Sequence, residues 1–292
     1  MLILICDAFD SSLPKRLERF GEVTEDATRL PEADVALVRS KTKCTAEWIA
    51  GAPRLKMLIR GGVGLDNIDQ AAAKARGIEV RNTPAASSVA VAELAFTLML
   101  AVPNRLIEAH NAMKEGRFLK KEIKRTELFG KTLGLVGIGR IAAEVAKRAA
   151  AFGMRVMAYD PYVKHSDVAI LVPSVKELFR QADYVSLHVP LSDETKNMIN
   201  KETIAGMKNG VVIVNTGRGK CIVEADLAEA LKAGKVAAYA TDVWYSDPPD
   251  PSSPLLAAPN VIMTPHIGAS SKENLLRIGN EVVSLLEEWT RK

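Results

Sequence analysis

Few residues of the 292-residue chain lend themselves to cross-linking or metal binding: three cysteines and four histidines. Cys6, Cys44 and Cys221 stand far apart, which excludes a disulfide framework and any close metal-ligand spacing and points to a reducing cytoplasm. Aromatic residues make up only 5%. Long apolar runs are also missing. Met1–Ile5 is cut off by Asp7 and lacks a basic flank, so it is too short for a signal peptide. Val89–Pro103 is interrupted by Glu93 and is too short to cross a bilayer. There is no tandem repeat, no low-complexity tract and no broad basic field, so neither a nucleic-acid nor a membrane partner is expected. The net charge of +4 is carried by one stretch, Lys114–Arg125, with six basic and two acidic residues.

What is present is a globular balance, 48% hydrophobic and 25% charged, in a length that suits two domains at roughly 150 residues each. Short apolar runs alternate with helical patterns, the signature of βα units and a parallel sheet. Leu2–Cys6, Val35–Val38, Leu55–Ile59 and Ile78–Val80 read as a first series of strands. Thr132–Val136, Arg155–Ala158, Tyr184–Leu187, Val211–Val214, Val236–Tyr239 and Val261–Met263 form a second series of six. That count suits a complete dinucleotide-binding sheet. Helices are expected over Val89–Leu100 and Ser271–Trp289, and the Pro-rich stretch Asp247–Pro254 reads as a loop.

Gly137-Ile138-Gly139-Arg140-Ile141-Ala142 follows a strand and opens a helix. The first glycine permits a tight turn, the second lets a pyrophosphate approach the backbone, and Ala142 is small enough for helix-on-strand packing. Asp160 comes 21 residues after Gly139, just past the next strand. A carboxylate there accepts from both ribose hydroxyls and repels a 2′-phosphate, which argues for NAD over NADP. The plain alternative is that Asp160-Pro161 simply ends a strand.

His110 and His165 read as surface residues, and His188 as a strand-end residue near the cofactor cleft. His266 stands in Pro265-His266-Ile267-Gly268 after the last strand, where open α/β sheets place their ligand crevice. An imidazole there can deliver a proton to a carbonyl oxygen as a hydride reaches the carbon. Arg218, after Val211–Val214, can bind a planar carboxylate bidentately. Asp242 follows the next strand and Asp247 comes five residues later. A carboxylate beside a histidine favours the imidazolium form. Each of these residues alone is compatible with a structural role; together, at successive strand ends, they indicate a site.

Asn82-Thr83-Pro84, Gly137-x-Gly139-x-x-Ala142, His188-Val189-Pro190-Leu191, Asn215-Thr216-Gly217-Arg218-Gly219, Asp242-Val243 and Pro265-His266-Ile267-Gly268 occur in one order. In them the chain resembles the D-isomer-specific 2-hydroxyacid dehydrogenases over nearly its whole length. The resemblance implies an α/β protein of two doubly wound parallel-sheet domains. A Rossmann NAD-binding domain, 93–270, is inserted into a flavodoxin-like substrate domain, 1–92 plus 271–292, with hinges near Ala92 and Ser270. It also implies a homodimer through the NAD domains, and an NAD-dependent hydride transfer between a small D-2-hydroxy acid and its 2-oxo acid.

By the same resemblance Arg218 binds and polarises the substrate, His266 is the acid/base, and Asp247 is its partner where most relatives carry Glu. The shorter Asp requires a closer loop or a bridging water, and Asp250 is the lesser candidate. Cofactor contacts are expected at Thr83, Gly137, Gly139, Arg140, Ile141, Asp160, Val189, Pro190, Thr216, Gly217, Arg218, Asp242, His266 and Gly268. Arg60 to Asp69, with Val63 and Gly64 in a Gly-rich loop, is similar to D-3-phosphoglycerate dehydrogenases. There Arg60 is expected to help bind a phosphate, with Lys120 of the basic arm assisting. The arm departs from the common pattern at Phe118 and Arg125.

The substrate expected first is D-3-phosphoglycerate, in serine biosynthesis. Glyoxylate, hydroxypyruvate, D-glycerate and D-lactate enzymes of the same family are alternatives. An NAD(H)-sensing corepressor is the alternative of another class, to be marked by an extended disordered tail and a peptide cleft. The length is expected to leave no room for an appended regulatory domain, and no metal is expected.

Overall fold

A computed structural model describes residues 1–291; Lys292, the last residue of the expected substrate-domain segment, lies outside the described residues. The chain divides into two compact units, Met1–Ala90 with the segment from Ala269 onward, and Val91–Gly268.

In the first unit β1 (Leu2–Ile5), β2 (Glu22–Thr24), β3 (Val35–Val38), β4 (Met57–Arg60) and β5 (Glu79–Asn82) form a parallel sheet in the order β2-β1-β3-β4-β5. This is the flavodoxin-like winding. β1 and β3 are buried along their whole length, so they read as unbroken apolar runs. β2 was not legible in the sequence: it is a half-exposed edge strand of three mixed residues. Short helices α1 (Leu13–Leu17), α2 (Ala46–Ala50) and α3 (Gln70–Ala75) connect the strands. The C-terminal helix (Lys272–Thr290) is capped by Ser271, whose side chain accepts from the Asn274 N–H. It lays Ile278, Val282 and Leu286 onto a core containing Ile3, Leu13 and Ile59. Each such side chain, fully buried, contributes about 1.5–3 kcal/mol.

The second unit begins within α4 (Ser88–Ala101), whose Ala92, Ala95 and Met99 lie fully inside its core. After α5 (Leu106–Lys114) come β6 (Thr132–Val136), α6 (Arg140–Ala151), β7 (Arg155–Tyr159), β8 (Ile170–Leu171), α7 (Val175–Gln181) and β9 (Tyr184–Leu187). Then follow α8 (Lys201–Ala205), β10 (Val211–Asn215), α9 (Glu224–Lys232), β11 (Val236–Thr241) and β12 (Val261–Met263); the C-terminal helix is thus α10. All strand pairs are parallel, in the order β12-β11-β10-β9-β6-β7-β8. The sheet has seven strands rather than the expected six, because the two-residue edge strand β8 is too short to leave a pattern. The order reverses direction between β6 and β9, the switch point where doubly wound sheets open a crevice.

α6 buries Ala142, Val145, Ala146 and Ala149, one stripe at helical spacing. Among the described residues no single helix is long and apolar enough to cross a membrane.

Candidate active site

Except after the two-residue edge strand β8, every turn at the carboxyl edge of the seven-stranded sheet carries a residue singled out above. Gly137, just past β6, has φ +85°, and a Cβ there would stand 2.8 Å from the His188 carbonyl oxygen. Gly139 is the N-cap of α6 with no side-chain cap, and a Cβ on it would meet nothing within 4 Å. The start of α6 is therefore open at this glycine, which allows the close backbone approach a pyrophosphate requires. Asp160, past β7, is tied at both oxygens: Oδ2 accepts from the Ile138 N–H at 3.1 Å and Oδ1 from the Tyr162 N–H at 2.9 Å. Its carboxylate is thereby anchored to the glycine turn. Arg140 is exposed and Ile141 half-buried on the first turn of α6, while Val189 and Pro190 follow β9.

Thr216, past β10, is buried, and its hydroxyl has no hydrogen-bond partner among the described residues. A buried hydroxyl without a partner is costly, so this atom fits a bound ligand. Together with the open α6 terminus and Asp160, it makes the residues of this edge fit NAD. When bound, that group would supply or accept the hydride.

The strand end of β11 builds the next part. Asp242 is 2% exposed. Its Oδ1 accepts from the Thr264 hydroxyl at 2.6 Å and the Ile267 N–H at 2.8 Å, and its Oδ2 from the Gly268 N–H at 2.8 Å. Gly268 permits this approach, since a Cβ there would lie 2.9 Å from Oδ2. The three donors flank His266 on both sides, and His266 itself adopts φ 55°. A left-handed non-glycine residue costs about 1–2 kcal/mol, and the Asp242 carboxylate holds the turn that imposes it.

His266 Nδ1 lies 2.6 Å from Asp247 Oδ2, with both side chains about a third to two-fifths exposed. The shorter Asp is thus in direct contact, with no bridging water needed. Asp250 is engaged elsewhere: its Oδ1 accepts from the Ser252 N–H at 2.8 Å and hydroxyl at 2.6 Å. With Nδ1 turned to Asp247, Nε2 is the nitrogen left to face a substrate.

The Asp247 loop is tied down on two sides. Trp244 Nε1 donates to the Thr264 carbonyl at 3.2 Å. A Cβ at Gly219, beside Arg218, would collide with the Trp244 carbonyl, so only glycine lets the two segments pack. Arg218 is half-buried, and its Nη1 donates to the Gly217 carbonyl at 2.8 Å. A Cβ at Gly217 would stand 3.1 Å from the Leu187 carbonyl oxygen.

The remaining sequence candidates divide by unit. In the first unit Arg60 ends β4 and folds back over Gly62, where a Cβ would overlap its guanidinium. Asn82 Nδ2 donates to the Val63 carbonyl at 2.6 Å and the Thr83 N–H to the Gly62 carbonyl at 3.1 Å, fixing the loop that contains Gly64. Thr83 is fully buried, its hydroxyl also without a partner among the described residues. In the second unit Lys120 is exposed in the arm after α5. His110 is exposed, and His165 pairs at the surface with Asp167 at 2.8 Å. His188 contacts the Ser186 hydroxyl at 2.9 Å, and burial pushes its pKa down to about 4, so it is neutral near pH 7.

Sequence reasoning passed over Asn215, Tyr239, Thr241 and Thr264 as working residues. Their available signal was a polar group closing an otherwise apolar strand. Among the described residues no group of three or more His, Cys, Asp or Glu could hold a metal ion.

Comparison with known proteins shows the family. The sequence model of the D-isomer specific 2-hydroxyacid dehydrogenase NAD binding domain matches residues 96–268. The chain is 50% identical over 256 residues to a hydroxypyruvate reductase of Thermotoga maritima, covering 87% of this chain and 84% of that one. It is 45% identical over 302 residues to a D-3-phosphoglycerate dehydrogenase of Methanocaldococcus jannaschii, covering 99% of this chain but 57% of that longer one. A solved D-lactate dehydrogenase of Aquifex aeolicus, complexed with NAD and lactic acid, superposes with a TM-score of 0.88. It is 32% identical, over 99% of this chain and 95% of that one. The chain belongs to the D-isomer-specific 2-hydroxyacid dehydrogenases and is an NAD-dependent oxidoreductase.

Proposed function

We propose that the chain interconverts D-3-phosphoglycerate and 3-phosphohydroxypyruvate, the oxidation that leads toward serine, in the cytoplasm. The observation that carries the chemistry is the 2.6 Å His266–Asp247 contact on the sheet edge that also presents Arg218. In the reduction direction Arg218 binds the substrate carboxylate and polarises the adjacent carbonyl. His266 Nε2 gives its proton to the carbonyl oxygen as the carbon takes up the hydride. Asp247 accepts from Nδ1–H, which orients the ring. In the oxidation direction the neutral ring takes the hydroxyl proton back. Gly137, Gly139, Arg140, Ile141, Asp160, Val189, Pro190, Thr216, Gly217, Asp242 and Gly268, with Thr83 from the first unit, are the proposed cofactor contacts.

Support for the phosphorylated substrate comes from Arg60 at the head of the Gly-rich loop with Val63 and Gly64, and from the phosphoglycerate dehydrogenase relative. Lys120 is the proposed second phosphate contact. The hydroxypyruvate reductase relative, at 50% identity, favours a second reading with unphosphorylated hydroxypyruvate and D-glycerate. The test is NADH oxidation with 3-phosphohydroxypyruvate, hydroxypyruvate, glyoxylate and pyruvate. The first reading expects a preference for the phosphorylated acid that Arg60→Ala abolishes. Equal or better turnover of hydroxypyruvate, unaffected by Arg60→Ala, establishes the second.

A homodimer through the NAD-binding units belongs to the same proposal. It is supported by the exposed Leu106, Ile107 and Met113 of α5 and by Phe118, 72% exposed in the arm. A solution mass of twice 31.6 kDa is expected.

A further inference from the structure

Asn215 closes β10 and has no exposed surface. A buried carboxamide brings two N–H donors and an acceptor oxygen that all need partners. Here they go to the turn that carries Arg218 and to a support beneath it. Oδ1 accepts from the Gly217 N–H at 3.0 Å. Nδ2 donates to the Arg218 carbonyl at 3.0 Å and to the Tyr239 hydroxyl at 3.3 Å. One side chain thus closes residues 215–218 into a loop and sets the backbone at Arg218, which is extended at φ −139°, ψ 127°. Tyr239, 1% exposed in β11, is one of the largest fully buried side chains, and burial pushes its phenol up to about 12. It is a neutral, rigid support.

The main chain of Asn215 reaches the other half of the site. Its carbonyl accepts from the Thr241 hydroxyl at 3.2 Å and from the Asp242 N–H at 3.0 Å. Asp242 in turn grips the His266 turn through the three bonds described above. A set of buried and part-buried hydrogen bonds, joined through Asn215 and Asp242, therefore runs from the Arg218 carbonyl to the residues on either side of His266.

We infer that Asn215, supported by Tyr239, is a positioning residue that acts through Arg218 and registers it against His266. The inference rests on the reading of Arg218 as the substrate-binding cation. The side-chain requirement is narrow. Aspartate has the same shape but no donor for the Arg218 carbonyl, and would set an oxygen against it. A displacement of about 1 Å at a substrate-orienting group costs on the order of 10²-fold in rate.

The test is a double-mutant cycle on kcat/KM for the preferred 2-oxo acid, using Asn215→Asp, Tyr239→Phe and Arg218→Lys in the full chain. Asn215→Asp is expected to lose about 10²-fold. Tyr239→Phe, which removes one hydroxyl from an intact core, is expected to lose several-fold, mostly through a higher KM for the oxo acid. In the Arg218→Lys background both losses shrink to less than threefold, because the group they position has already gone. Penalties that multiply in full would assign Asn215 and Tyr239 a structural role only and overturn the inference. So would unchanged kcat/KM in Asn215→Asp. If Asn215→Asp does not fold, the Tyr239→Phe cycle decides alone by the same criterion. Arg218→Lys by itself tests the underlying reading: little loss there removes Arg218 from the substrate, a result separate from additivity.

Discussion

The two edges of the seven-stranded sheet are made by the same strands and treat their polar groups in opposite ways. At the amino edge Asp183, just before β9, is a structural anchor: it accepts from the Thr132 N–H and pairs with Lys208 Nζ, each at 2.8 Å. A cavity of about 740 Å³ lies along this edge, bordered by Lys124, Lys131, Glu108 and the starts of β9 to β12. Its charges are mixed and face solvent. At the carboxyl edge Asp160, Asn215 and Asp242 bond to the N–H and O–H groups of the turns themselves, so their carboxylate or amide sets the path of a loop. The lesson is that an ion pair at a strand start steadies the sheet, whereas a buried acceptor at a strand end shapes a site. The basic arm belongs to this contrast: its final part, Lys124, lies at the amino edge.

The largest effect that sharpens the contrast is expected at the carboxyl edge. His266→Gln should lower kcat by about 10²–10⁴-fold with little change in melting temperature. Asp247→Asn should lower it less, about tenfold or more, since the ring loses the acceptor that orients it. Steady-state kinetics would check both, and turnover identical to wild type in Asp247→Asn would refute the pairing.

A second, intermediate effect concerns His188 at the same edge. Its depressed pKa means that the unfolded chain binds a proton that the folded chain refuses. Stability should therefore fall as the pH drops from 6.5 toward about 4. His188→Gln should flatten that part of the curve, read as urea midpoints against pH; an unchanged slope would show that the ring titrates normally.

The smallest effect is expected at the amino edge. Burial acts to raise the Asp183 pKa, but the Lys208 pair and the Thr132 N–H outweigh it, and the net shift is downward. The sign follows: Asp183 stabilises the fold above the ordinary aspartate range and loses that contribution as the pH falls through its lowered value. Asp183→Asn should cost no more than about 1 kcal/mol and a few degrees of melting temperature near pH 7, with kcat unchanged. A kinetic defect larger than that of Asp247→Asn would break the contrast between the edges.

How much was legible follows the same physics. β3, β6 and β9 were read with their observed limits, because strands buried on both faces are apolar runs bounded by turns; the edge strand β12 was read too, since all three of its residues are apolar. β2 and β8 were missed, the first because its three residues are mixed and half-exposed, the second because two residues leave no pattern. Asp160 could be found because its distance from the glycine turn is set by one βα unit. Asp247 was preferred over Asp250 on resemblance alone, and only the tertiary structure shows Asp250 engaged with Ser252 instead. Asn215 stood in a quoted motif, yet its partner Tyr239 lies 24 residues away on the neighbouring strand.

By itself the sequence determined the alternation of strands and helices, the glycine turn with its distant carboxylate, and the residue types able to move a proton and bind an acid. These depend on local periodicity and on spacing within one unit of chain, which a linear reading can follow. Tertiary structure alone decided which nitrogen of His266 is free, why His266 tolerates a left-handed backbone, and what aligns Arg218. Those depend on hydrogen bonds between turns brought side by side by parallel strand pairing, across 19 residues for His266–Asp247 and 26 for Gly268–Asp242.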